Sequence, residues 1–209
     1  MRVNEQGRSM IEMLGVLAIV GVLSVGGIAG YSKAMAKFKT NKVIDQVNML
    51  STNIRTMFSS QRTFNGLNNT LSNSAGITPA EMITSTPGEI VNGFGGKASV
   101  LAVPHNGGLD QGYVIAFDSI PKAACVTMAT TDWGGDVGSG FAYFEVVAGG
   151  TSGTADAQTT AKLTATDPTT GTTTVAIPGD TVNPTPMTIM KAQAACTDNT
   201  NNILVWKYI

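Results

Sequence analysis

Histidine and cysteine are almost missing from this chain: His105 is the single imidazole, and Cys125 and Cys196 are the only thiols in 209 residues. One imidazole builds no histidine-based metal site, and two thiols build no four-thiolate zinc site, which excludes most metalloenzyme chemistry. Charge is scarce too. At 13% charged residues the chain is neither a highly charged disordered polymer nor a coiled coil of Glu, Lys and Leu. A Ser-His-Asp triad would need His105, which sits in a turn-like Pro104-His105-Asn106-Gly107-Gly108 stretch, and no serine stands in a nucleophile-elbow pattern. Gly93-Phe94-Gly95-Gly96 loosely matches a dinucleotide fingerprint, but strand and turn follow it rather than helix. The expectation is a protein without catalytic residues, metal or cofactor.

The net charge of −1 hides an asymmetry. Residues 1–62 hold 8 of the 13 basic side chains and 3 of the 14 acidic ones, so residues 63–209 carry 5 against 11, or −6. A body of that sign repels a phosphate backbone, and no nucleic-acid binding is expected of it.

What the chain has is one long apolar run. Residues 13–32 contain no formal charge and are mostly Leu, Val, Ile, Ala and Gly. Twenty helical residues at about 1.5 Å each cover a hydrocarbon core of roughly 30 Å. A secretory signal peptide is the alternative, with Arg2 and Arg8 as its basic end. Against it stand Glu12 at the edge of the run and the lack of a small-x-small cleavage site after Ala29. The pattern instead continues as helix: Tyr31, Met35, Phe38, Ile44, Val47, Leu50, Ile54 and Met57 or Phe58 form an apolar stripe, with Lys33, Lys37, Lys39, Lys42 and Asp45 on other faces. No proline precedes Pro79, so one helix from about residue 11 to about residue 60 is expected. Such a helix protrudes from a domain with its first half and packs with its second.

Gly7-Arg8-Ser9-Met10-Ile11-Glu12 followed by Met13-Leu14-Gly15-Val16-Leu17-Ala18-Ile19-Val20 resembles the N-terminus of type IV pilins and type II secretion pseudopilins, the class III signal sequence. The resemblance implies a leader of residues 1–7, cleavage by a prepilin peptidase between Gly7 and Arg8, N-methylation of Arg8, and a subunit-assembly role for Glu12. A carboxylate at the start of a lipid-embedded helix costs roughly 2.5–3.5 kcal/mol unless paired. The terminal amine of a neighbouring subunit would supply the cation; a Glu12 hydrated at headgroup level is the plainer reading. Arg8 stands where the family usually has an apolar residue, and Ala29 where many members have proline.

Cys125 and Cys196 each end a short helix-like segment, Lys122-Ala123-Ala124-Cys125 and Ala192-Gln193-Ala194-Ala195-Cys196. One disulfide, implying folding outside the cytoplasm, or two unrelated buried thiols both fit. The resemblance implies the disulfide, since pilins staple a C-terminal region in this way.

Residues 99–103, 112–117, 140–148, 162–166, 172–177 and 203–209 are rich in β-branched or aromatic side chains between Gly, Pro, Asn or Asp, and predict strands. Asp118 or Ser119 predicts a helix cap, with Pro121 in the first turn of a helix through Cys125 toward Met128. Asn183 or Thr185 predicts the start of another helix through Met190 to Cys196. Residues 61–98 read as an irregular connection. The Thr-rich stretch 151–174 reads as a twisted hairpin and loops at the sheet edge, or as a glycosylated or receptor-facing surface. Asp198, Asn201 and Asn202 read as a polar turn, with calcium ligation the alternative.

Together these readings describe an α+β pilin fold: a spine helix whose membrane and assembly half is 8–32 and whose amphipathic half is 33–60, then a globular head, 61–209, with its C-terminal strand inside an antiparallel sheet. The size of the body and the wide cysteine spacing most resemble type IVb pilins, including the PilS group of thin conjugative pili. The resemblance implies a filament subunit for adhesion, cell contact or conjugation, whose partners are copies of itself, the prepilin peptidase, an assembly ATPase and platform, and a secretin. It implies residence in the inner membrane with the head in the periplasm, then in an extracellular pilus. A minor pilin, a pseudopilin and a membrane-anchored adhesin domain are the alternatives.

Overall fold

In the computed structural model the residues described are 6–105, 108–134, 139–148, 151–152, 162–167, 171–176, 186–196 and 201–209. Helix α1 (Gln6–Phe58) is unbroken, as expected of a segment without proline. The chain divides into two compact units within α1, residues 1–38 and 39–209. In the first, every side chain from Met10 to Ala34 is exposed. In the second, Val43, Val47, Leu50, Ile54 and Phe58 are buried, at steps of four and three that line one helix face.

That row corrects the expected stripe. Val47, Leu50, Ile54 and Phe58 belong to it, but Tyr31 and Phe38 are 68% and 61% exposed, Val43 is buried in place of the half-buried Ile44, and Met57 is exposed. The stripe includes Tyr31 and Phe38 only if apolarity alone assigns burial.

The main sheet has five antiparallel strands in the order β1 (Ile90–Val91), β2 (Lys97–His105), β3 (Gly108–Ile120), β8 (Asn202–Tyr208), β4 (Phe141–Ala148). Its register sets Ala98 opposite Phe117, Ile115 opposite Trp206, and Trp206 opposite Phe144. Alternation puts Ala98, Val100, Tyr113, Ile115, Phe117, Leu204 and Trp206 in one core with the buried row of α1. Trp206 is its centre, with the rings of Phe117, Phe144 and Trp133 at 5.6, 5.5 and 5.1 Å. Leu101, Val103, Val114, Ala116, Ile203 and Val205 are buried on the second face, where β5 (Thr151–Ser152) lies against β2 and β3. The C-terminal strand β8, expected within the sheet, runs between β3 and β4 and is buried along its whole length.

Strands β6 (Lys162–Asp167) and β7 (Gly171–Ala176) pair as the expected hairpin, but with β5 they form a separate three-stranded sheet rather than the edge of the main one. The connection 61–98 is more ordered than expected. It holds α2 (Asn69–Ser74), capped by Asn68 Oδ1 on the amide of Leu71, a 3-10 turn (Ala80–Met82), and β1. Leu67, Ile77, Met82 and Ile90 anchor it in the core.

Strand β3 continues through Asp118 and Ser119, so these residues do not cap a helix. Asp118 Oδ1 accepts the amide of Lys97 and its carbonyl accepts Asn92 Nδ2, which ties it to β2. Helix α3 (Lys122–Ala129) therefore starts after Pro121, which is its N-cap rather than a first-turn residue. The last helix, α4 (Ile189–Ala195), is capped by Thr188; the expected starts Asn183 and Thr185 lie outside the described residues.

Candidate functional site

The N-terminal candidates lie on α1, with Gly7 and Arg8 in its first turns. Glu12 is exposed and makes no ion pair with a described residue. The helix behind it is long and apolar enough to cross a membrane, with a mean hydropathy of 2.2 over its most apolar window and none of that window buried. Within the run, Ser24 returns its hydroxyl to the carbonyl of Val20 at 2.7 Å, so this donor is not left unpaired on an apolar surface. The surface thus offers lipid, or other helices, an unbroken apolar sleeve with one carboxylate at its beginning.

From Lys39 onward the same helix is fixed by polar contacts as well as by packing. Gln46, 1% exposed, donates through Nε2 to Glu81 at 3.0 Å and accepts the amide of Gly93 at 2.9 Å; Lys42 pairs with Glu81 at 3.5 Å. The Gly-rich turn after β1 is consumed by this contact. Asn92 Oδ1 takes the amides of Phe94 and Gly96, so those amides are occupied and offer a nucleotide phosphate no cradle. His105 ends β2, opposite Gly108, at the connection to β3.

At the other end of the helical contact is a cluster that sequence reasoning missed. The hydroxyl of Tyr113 meets Ser51 Oγ at 3.0 Å and accepts from Arg55 Nε at 3.2 Å. Its ring stacks on Tyr208 at 5.1 Å, and the Arg55 guanidinium lies 5.4 Å from the Tyr208 ring centre. Burial pushes both tyrosine hydroxyls above their usual range. The only signal in the sequence was placement: Ser51, Arg55 and Phe58 share a helix face, and Tyr113 and Tyr208 fall at core-facing positions of their strands.

Cys125 in α3 and Cys196 at the C-cap of α4 are fully buried and bonded to each other, with Cα atoms 5.9 Å apart. The expected disulfide is present, and the alternative of two separate thiols is excluded. It ties α4 to α3, as does the amide of Met187 on the carbonyl of Ala129. Asp198 lies outside the described residues; Asn202 is not a turn residue but begins β8 and donates to the carbonyl of Ile120 at 2.9 Å. Among the described residues no group of three His, Cys, Asp or Glu comes together to hold a metal.

The bundlin family matches residues 33–183. The chain is 30% identical over 130 residues to the major structural subunit of the bundle-forming pilus of Escherichia coli O127:H6, covering 62% of this chain and 66% of that protein, just under two thirds of its length. It is 26% identical over 164 residues to the toxin coregulated pilin of Vibrio cholerae, covering 74% of this chain and 68% of that one. The crystal structure of TcpA, a type IV pilin from the El Tor biotype of Vibrio cholerae, aligns with 82% of this chain and 99% of its own at a TM-score of 0.50 and 19% identity, a likeness of fold.

Proposed function

Because the chain belongs to the bundlin family of type IV pilins, we propose that it is a structural subunit of a type IV pilus. The observation that carries this reading is the helical segment from Met10 to Ala34, exposed along its whole length and charged only at Glu12 and at Lys33. An apolar sleeve of that size is unstable in water and must meet lipid or other apolar helices. Lipid serves for storage in the inner membrane, and packing against copies of the same sleeve serves in a filament.

In this reading residues 1–7 are the leader, cut by a prepilin peptidase between Gly7 and Arg8. Residues 8–32 form the assembly half of the helix, 33–60 its amphipathic half, and 61–209 the head, whose region 125–196 is closed by the disulfide. The new amine of Arg8, methylated, pairs with Glu12 of a neighbouring copy, which gives each incoming subunit its register. An assembly ATPase with its platform and a secretin carry the filament out of the cell.

The test is the intact mass of chains sheared from the cell surface, with and without reductant. The expected chain begins at Arg8, carries one methyl group, and gains two hydrogens on reduction. Recovery of uncut chain from the inner membrane alone, with none in the sheared fraction, overturns the reading in favour of a membrane-anchored domain.

A further inference from the structure

The apolar sleeve ends on a pair of lysines. The unbroken helix rises about 32 Å between Glu12 and Lys33, so with Glu12 at one boundary of a hydrocarbon core of roughly 30 Å, Lys33 stands at the other. Lys37, one turn further on, lies about 6 Å beyond it, at the depth of the headgroups. Both lysines are exposed, and both belong with the sleeve to the first unit, residues 1–38.

Four residues apart on α1, Lys33 and Lys37 share a helix face, where two like charges repel. Nothing in the chain nearby relieves them. No acidic residue stands between Glu12 and Asp45, and neither lysine forms an ion pair with a described residue. The pair also stands where the usual charge bias disfavours it. Lysine and arginine gather on the cytoplasmic flank of a membrane helix, whereas in the reading above this flank faces the periplasm.

The same two turns carry aromatic rings. Tyr31 and Phe38 are 68% and 61% exposed. Seven residues apart, they share a face that at about 100° per residue lies across the helix from Lys33. A tyrosine at a membrane boundary keeps its ring in the apolar layer and its hydroxyl in the wet one. A helix standing in a bilayer thus carries rings on one side and lysines on the other at nearly one depth.

We propose that Lys33 and Lys37 bind the phosphates of anionic phospholipids in the outer leaflet of the inner membrane, while Tyr31 and Phe38 seat at the boundary of the same leaflet. The flexible lysine stem lies along the apolar layer and lifts its ammonium to the headgroups. There the ammonium, a compact point charge, takes a phosphate oxygen in a charge-assisted hydrogen bond. The lipid supplies the negative charge that the chain lacks between Glu12 and Asp45. The contact sets the depth of the stored chain and is given up when the helix leaves the membrane. This inference rests on the reading of residues 8–32 as a membrane span and names the lipid chemistry that the end of that span recognises.

The experiment reconstitutes the full chain in phosphatidylcholine vesicles and adds spin-labelled phosphatidylglycerol or, separately, spin-labelled phosphatidylcholine. The fraction of each that the protein immobilises gives their relative affinity. Phosphatidylglycerol is expected to be favoured about fivefold at low salt and to lose most of that preference in about 1 M NaCl. Lys33→Gln combined with Lys37→Gln is expected to bring the two lipids level, and Lys33→Arg combined with Lys37→Arg to keep the preference. Equal immobilisation of the two lipids by the unsubstituted chain overturns the proposal, as does a preference that survives the double glutamine variant. If that variant instead keeps the lipid preference and loses sheared filament, the lysines serve acidic groups of a neighbouring copy and the lipid contact is wrong. Release of the unsubstituted chain from the vesicles by alkaline carbonate would bring down the membrane span itself.

Discussion

The side-chain amide of Asn69 stands beside Val100 where a neighbouring strand would be: its Oδ1 accepts the Val100 amide at 2.7 Å, and its Nδ2 donates to the carbonyl of Ala98 at 3.1 Å. The carbonyl of Leu67 takes the next outward amide, that of Ala102, at 3.1 Å. The position after that is Pro104, which has no amide to offer. The outer edge of β2 is thereby closed along its length, a protection against edge-to-edge pairing with another chain. Asn69→Ala is expected to cost about 1–3 kcal/mol, since it leaves buried backbone groups unpaired, and to raise aggregation through β2. Urea unfolding of the detergent-solubilised chain checks it, and an unchanged midpoint would argue against this account of the edge.

Two phenylalanines of α1 separate apolarity from burial. Phe58 is 6% exposed and Phe38 61%. Phe58→Ala is expected to destabilise the monomer by about 3–5 kcal/mol, the usual cost of deleting a buried ring, and Phe38→Ala by no more than about 0.5 kcal/mol. Comparable losses in the two variants, in the same unfolding assay, would mean that the packing of α1 extends further toward its N-terminus than its burial indicates.

The stacked tyrosines make stability sensitive to alkali. Burial, then repulsion from Tyr113, raises the hydroxyl of Tyr208; burial raises that of Tyr113 against the lowering influence of Ser51 and Arg55. A group whose folded pKa lies above its unfolded value of about 10 stabilises the fold fully below that pH and loses its contribution as pH rises beyond it. The urea midpoint is therefore expected to fall from about pH 10 upward, and less steeply in Tyr208→Phe. An equally steep fall in that variant assigns the alkaline loss to other groups.

Glu12 is the one acidic group on the apolar half of α1 after the expected cut, so its replacement separates storage from assembly. Glu12→Gln removes a membrane-insertion cost of roughly 2.5–3.5 kcal/mol and is expected to leave the chain abundant in the inner membrane while abolishing sheared filaments. Quantitative immunoblotting of the two fractions reads this directly. Normal filament yield would show that no pairing at residue 12 is needed.

The sequence by itself determined the long helix, most of the strands and the family. Absence of proline before Pro79, a chargeless run of membrane length and the Gly7-to-Glu12 spacing are local signals, readable because a helix and a membrane span depend on neighbours along the chain. Strand positions followed from β-branched and aromatic residues between turn-forming ones, for the same reason. The tertiary structure alone decided which apolar residues are core: Val43 is covered and Phe38 is not, because burial depends on where the sheet lies. It alone extended β3 over Asp118 and Ser119, whose partners Lys97 and Asn92 are more than twenty residues away. It also brought Arg55, Tyr113 and Tyr208 together and set Asn69 against β2, contacts between distant segments that leave no periodic trace. The cysteines lie between these cases: the two thiols were visible in the sequence, and only the packing of α3 on α4 brought them within bonding distance.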